Sequence, residues 1–227
     1  AYENALSSLE NAGATLVDID DFDQPDSFWA DSYNVLLSEF HSSINEYLAD
    51  SPADIPARDL QALIAFNKTD KRELALFNQD IFEKSLKAAA IDSEEYKSAL
   101  SLIQKTAGTN GIDTLMQQHN VDVLVSPSNS PSFLIDGVYG DHSPGGFIGV
   151  GYLAAVAGYP HLTVPVDDIK NLPVGLSFIA GKWMDEKVLR IGSVFEAKHG
   201  FSITPGLLPS RFDAPELESI TENVTSN

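Results

Sequence analysis

From Phe28 to Leu48 the apolar positions Trp29, Tyr33, Leu36, Leu37, Phe40, Ile44, Tyr47 and Leu48 recur every three or four residues. That spacing predicts a long amphipathic helix with one buried stripe. Tyr2 to Asn11 shows the same spacing through Ala5, Leu6 and Leu9, and Gly13 stands where a C-cap would sit before the β-prone run Ala14 to Ile19. A helix feeding a strand is expected there, followed by a polar loop at Asp20 to Asp26. Pro52 and Pro56 end the long helix, and Asp59 is placed to N-cap a further helical stretch through Phe66. Helical spacing returns over Thr69 to Ala90 and Ser93 to His119, with a break at Gly108 to Gly111.

After Asn120 the pattern changes. Val121 to Val125 (VDVLV) is an almost wholly apolar, β-branched run, as expected of a strand buried on both faces. Ser126 to Phe147 holds too many Pro, Gly and Ser for regular structure. A long loop at a strand's C-terminal end is where α/β proteins place ligand contacts. Gly149 to Gly158 reads as a short helix of small residues, and His161 to Val166 and Val174 to Ala180 as strands joined by a polar turn. Asp185 to His199 puts Val188, Leu189, Gly192 and Phe195 on one helical face, with Asp185 as its N-cap. Helices leading into a buried strand predict an α/β fold. The expected organisation is one domain over 1–227, with a helical insert at 28–120, a sheet-forming part at 121–200 and a tail at 209–227.

Composition narrows the partners. With 33 acidic against 14 basic residues the net charge is −19, which repels phosphate backbones and anionic lipid, so neither nucleic acid nor a membrane surface is expected as partner. No apolar run approaches the roughly 20 residues that cross a bilayer. The absence of cysteine excludes thiolate nucleophiles and Cys-ligated zinc but is silent on redox compartment. The chain opens at Ala1 directly in helical pattern, so an upstream part is expected; localisation is left open, with the cytoplasm slightly favoured.

Several constellations invite chemistry. Gly149-x-Gly151-x-x-Ala154 matches the dinucleotide fingerprint in letters, but SPGGF and not a strand precedes it, and close helix packing explains the small residues. Ser126, Ser128, Ser130, Ser132 and Ser143 are the serines available as nucleophiles, with His142 or His161 as bases, yet none lies in Gly-x-Ser-x-Gly. The five histidines include no His-x-x-x-His pair, so no metal is expected. Asp80, Glu83, Glu94 and Glu95 sit beside Lys84 and Lys97 and read as solvated helix faces.

Three segments in order, VDVLVSPSNSPSF from Val121, AGYPHLTVPV from Ala157 and LPVGLSFIAGKWMDEKVLRIGSVFEAKHG from Leu172, resemble the closing part of amidase signature enzymes. The resemblance implies a mixed β-sheet flanked by helices. It further implies amide hydrolysis through an acyl-enzyme, in which a Lys acting through a cis Ser activates a second Ser, without cofactor or metal. No Gly-Gly-Ser-Ser-Gly stretch occurs, so no catalytic residue is expected in this chain: the triad would lie upstream, and the fragment alone would be inactive.

What this part would supply is a wall of the substrate pocket. Asn129 is expected to hydrogen-bond a substrate amide, with Ser128, Phe133, His142 and Phe147 shaping the wall; an Asx-turn beside Pro131 is the competing role for Asn129. The implied partners are a small-molecule amide or peptide amide and the missing N-terminal half of the same protein. Surfaces left open by that half could pair two copies as a homodimer. Stand-alone bacterial amidases, including peptide amidases, are the nearest in pattern. One component of a tRNA-dependent amidotransferase and a non-enzymatic binding module are the alternatives.

Overall fold

Helix leads and sheet follows along the chain. The computed structural model describes residues 1–20, 22–70, 72–134, 136, 139–142 and 148–204. Helix α1 (Tyr2–Asn11) buries Ala5 and Leu9, and Gly13 turns the chain at φ +94°. The strand predicted at Ala14 to Ile19 is absent. A strand exists only through a hydrogen-bonded neighbour, and none lies beside this segment among the described residues.

The long helix α2 (Phe28–Asp50) forms as predicted, but its stripe divides. Phe28, Val35, Leu37 and Leu48 are buried, whereas Trp29, Tyr33, Leu36 and Tyr47 are exposed. Asp59 caps α3 (Leu60–Thr69) by accepting from the Ala62 N–H at 2.7 Å. The predicted helix over Thr69 to Ala90 is broken into α4 (Glu73–Leu76) and α5 (Asp80–Leu86). Between them Gln79 folds back on α3, accepting from Asn67 Nδ2 at 3.3 Å and donating to the Ile64 carbonyl at 3.4 Å. Ser93 caps α6 (Glu94–Ala107). The break expected at Gly108 to Gly111 is a π-helix over Gly108–Asp113, which continues into α7 (Thr114–His119).

The sheet has the order β1-β3-β2, built from β1 (Leu124–Pro127), β2 (His161–Ile169) and β3 (Leu172–Ile179). Both pairings are antiparallel, so the parallel component of the expected mixed sheet is not among the described residues. Strand β1 starts at Leu124 instead of Val121. Its burial alternates: Leu124 and Ser126 are buried and Val125 half-buried, not both faces equally. Strands β2 and β3 extend past their predicted ends into a two-residue hairpin at Lys170 and Asn171, both at positive φ (55° and 66°). That is the backbone sense a tight turn between right-twisted strands requires. A bulge interrupts the register between Pro165 and Asp167.

Helices cover both faces of the sheet. On one face Val164, Val166, Leu176 and Phe178 pack with Ala5 and Leu9 of α1 and with Val188 and Phe195 of α9 (Asp185–His199). On the other, Leu124 and Ile179 pack with Phe28 of α2, Ile103 of α6 and Leu153 and Ala154 of α8 (Gly151–Ala157). Two predictions for α9 need correction: Leu189 is 60% exposed, and Asp185 is the first helical residue, with Met184 at the N-cap. Gly192 is buried because α9 crosses β2 closely at Leu162.

Candidate functional site at the end of strand β1

Three hydroxyl residues lie in one row across the sheet: Ser126 on β1 faces Ser177 on β3, which faces Thr163 on β2. Ser177 is fully buried and Ser126 nearly so. A buried hydroxyl is costly unless it is hydrogen-bonded, and each of these is partnered. Ser126 Oγ donates to the Pro127 carbonyl at 3.1 Å and accepts from the Val150 N–H at 3.4 Å. Ser177 Oγ lies 2.7 Å from His161 Nε2 and donates to Ser128 Oγ at 2.9 Å. Ser128 Oγ in turn reaches Thr163 Oγ1 at 3.3 Å.

Ser128 is the first residue beyond β1, and its backbone prolongs the sheet by one bond, N–H to the Gly175 carbonyl at 2.9 Å. Gly175 admits it because it lacks a side chain. A Cβ there would lie 2.6 Å from Thr163 Cγ2 and 3.1 Å from Ser128 Oγ. Gly149 does the same from the other side, where a Cβ would run into the carbonyl oxygens of Pro127 and Ser128. Gly151 makes room for the His161 ring, whose Cε1 would be 2.7 Å from an added Cβ. The Gly149-x-Gly151 letters are thus a packing device.

Partial desolvation by its neighbours holds the His161 imidazole below its ordinary pKa of 6.5, although the residue as a whole is exposed. In the window between that lowered value and 6.5 the unfolded chain binds more protons, so stability falls as the pH drops through it. Urea midpoints are therefore expected to fall between about pH 7.5 and about pH 5, with a shallower fall in His161→Gln. An unchanged slope in the variant would contradict this role for the ring.

The structure joins Ser128 to His161 through Ser177. It does not assemble a Ser–His–Asp triad, because no carboxylate meets His161 Nδ1 among the described residues. Asn129 is exposed, and its Oδ1 accepts from the Ser130 N–H at 2.8 Å, a local turn contact. Phe133 is 45% exposed on the outgoing loop. His142, also exposed, stands 4.0 Å from Asp136, whose Oδ1 accepts from the Tyr139 N–H at 2.9 Å. Phe147 and Ser143 lie outside the described residues. Among the described residues there is no group of three His, Asp or Glu side chains that could hold a metal ion, and no helix is long and apolar enough to cross a membrane.

Ser177 and Thr163 are the residues that sequence reasoning missed. A signal for the first exists: Ser177 is the lone polar letter in the apolar run VGLSFIA.

A concavity of about 1100 Å³ separates the segment after α1 from β1. Leu16, Ile19, Phe22, Val123, Val125 and Ser126 line it. It runs along the edge of β1 that β3 does not occupy, an edge without a strand partner among the described residues.

A small sheet covered by helices on both faces, with a polar row leading to the loop after β1, is an α/β architecture. Comparison with known proteins makes this specific. The family model Amidase matches residues 1–189. The chain belongs to the amidase family.

Among solved structures it is similar to the native peptide amidase of Stenotrophomonas maltophilia (32% identity, TM-score 0.77, 90% of this chain and 40% of that one). It is also similar to the peptide amidase PAM in complex with the competitive inhibitor chymostatin (33% identity, TM-score 0.80, 91% and 41%). Among curated relatives, a glutamyl-tRNA(Gln) amidotransferase subunit from Acinetobacter baumannii is 28% identical over 200 residues, which cover 83% of this chain and 38% of that protein. The chain thus spans well under half the length of these relatives.

Proposed function

We propose that the complete polypeptide containing this chain hydrolyses carbon–nitrogen bonds of small amides or peptide amides. Its reactive Ser–cis-Ser–Lys group would lie upstream of Ala1, in the part of the relatives that this chain does not span. In that reading the Lys takes up, through the cis Ser, the proton of the attacking Ser. That proton passes to the departing nitrogen as the carbon–nitrogen bond breaks, so ammonia leaves and the acyl-enzyme remains, and water then releases the acid. The chain described here would carry scaffold and one wall of the cleft, with Asn129, Ser128, Phe133 and His142 toward substrate. The observation that carries the reading is the 33% identity and TM-score of 0.80 to a peptide amidase over 91% of this chain.

The groove beside β1 fits the same division. Its mixed lining, with Leu16, Ile19, Phe22, Val123 and Val125 beside Asp18 and Asp20, and the β1 edge without a strand partner among the described residues suit the remainder of the polypeptide, which would continue the sheet there and close the cleft. Ammonia release from an N-acyl dipeptide amide by the complete polypeptide tests the proposal, and silence on peptide and simple amides alike would overturn it. The similarity to an amidotransferase component supports a second reading, in which the protein handles glutamine beside partner proteins. Ammonia release confined to glutamine, and dependent on co-purifying partners, would select that reading.

A further inference from the structure

The hydroxyl row has a direction. A serine or threonine hydroxyl carries one proton, so a chain of them is polarised by whatever sits at its end. Here the end is His161, and the sequence of contacts is His161 Nε2 to Ser177 Oγ at 2.7 Å, Ser177 Oγ to Ser128 Oγ at 2.9 Å and Ser128 Oγ to Thr163 Oγ1 at 3.3 Å. Ser177 is fully buried, so its hydroxyl is committed to His161 and Ser128 and has no access to bulk water. When Nε2 bears its proton, Ser177 accepts it and donates to Ser128. The proton of Ser128 is then left for the outer side. There its partner Thr163 is exposed and is the longest contact of the chain, one that a better acceptor can replace.

We infer that His161 and Ser177 are positioning residues which turn Ser128 into a directed hydrogen-bond donor for a backbone carbonyl of a peptidyl substrate, distinct from the amide being cut. The inference rests on the proposed amidase reading, in which the loop after β1 faces substrate. Geometry supports the rigidity that such a donor needs. The Ser128 main chain is held by the Gly175 carbonyl at 2.9 Å, and the missing side chains of Gly149 and Gly175 let the strands and loop close on it. Simple aliphatic amides offer no second carbonyl and would not use the donor.

The test compares two substrates on the complete polypeptide, an N-acyl dipeptide amide and a short aliphatic amide. The readout is the ratio of their kcat/KM values. Ser177→Ala and His161→Leu are each expected to lower the ratio about tenfold, the size of one well-made hydrogen bond. His161→Gln retains a nitrogen donor near the Nε2 position and should stay within about threefold of wild type. Ser128→Ala, at a half-buried loop position, serves if loss of the buried hydroxyl prevents folding, with the same expected fall. A wild-type ratio in Ser128→Ala or in folded Ser177→Ala overturns the inference, as does a glutamine variant as impaired as the leucine one. Wild-type protein silent on both substrates removes the amidase reading and the inference together, whereas turnover with an unmoved ratio removes the inference alone.

Discussion

Phe178→Ala is expected to lower the unfolding free energy by about 3–5 kcal/mol, the range for deleting a fully buried aromatic side chain. Phe178 lies on the central strand with no solvent exposure, and its ring meets that of Phe195 on α9 at 5.3 Å between centroids. Deletion leaves a cavity between the sheet and α9. Neighbours such as Leu176 and Val188 are themselves fully packed and cannot collapse into it without leaving their own contacts. Urea denaturation followed by far-ultraviolet circular dichroism measures the loss. A change below about 1 kcal/mol would mean that this face of the sheet is not the core described here.

Gly149→Ala is the second substitution with a large expected effect, about 1–3 kcal/mol from overpacking. Its added methyl would meet the carbonyl oxygens of Pro127 and Ser128, main-chain atoms at the exit of β1 that cannot swing aside. The contrast is Gly192→Ala, whose methyl meets the end of the Leu162 side chain, a group with rotamers to spare. The expected order of destabilisation is Gly149→Ala above Gly192→Ala, read from thermal melts of the two variants. Faster amide hydrogen exchange at Val150, whose N–H is held by Ser126 Oγ, should accompany the first and not the second.

The elements legible in the sequence are those whose signals are local. Asp59 and Ser93 announce helix starts because a short acceptor side chain satisfies free N–H groups within the same turn. The hairpin of β2 and β3 is legible as two alternating runs around a polar turn, although its ends are not. Asp167, Asp168 and Pro173 look like turn residues, yet they pair across the strands at an exposed end where polar letters are tolerated.

What cannot be read depends on distant neighbours. Ala14 to Ile19 has strand composition, but composition does not create a pairing partner. The apolar periodicity of α2 marks more positions than the described neighbours cover, so Trp29, Tyr33 and Leu36 stay exposed while Phe28 and Leu37 are buried. The break between α4 and α5 comes from Gln79 bonding back to α3, a contact about fifteen residues away along the chain and invisible to helical spacing. The candidate site divides in the same way. Ser128 and His161 stand out from the letters, whereas the link between them, Ser177, depends on the register of three strands. Such a register is set by the fold and not by any local pattern.

The central proposal is a division of labour between this chain and a longer polypeptide that would contain it. The most direct measurement is amide turnover by the isolated chain beside the complete polypeptide, with an N-acyl dipeptide amide as substrate and ammonia as the readout. The complete polypeptide is expected to release ammonia and the isolated chain to release none above the buffer rate. Turnover by the isolated chain that disappears in Ser128→Ala would place a working nucleophile at the end of β1 and contradict the claim.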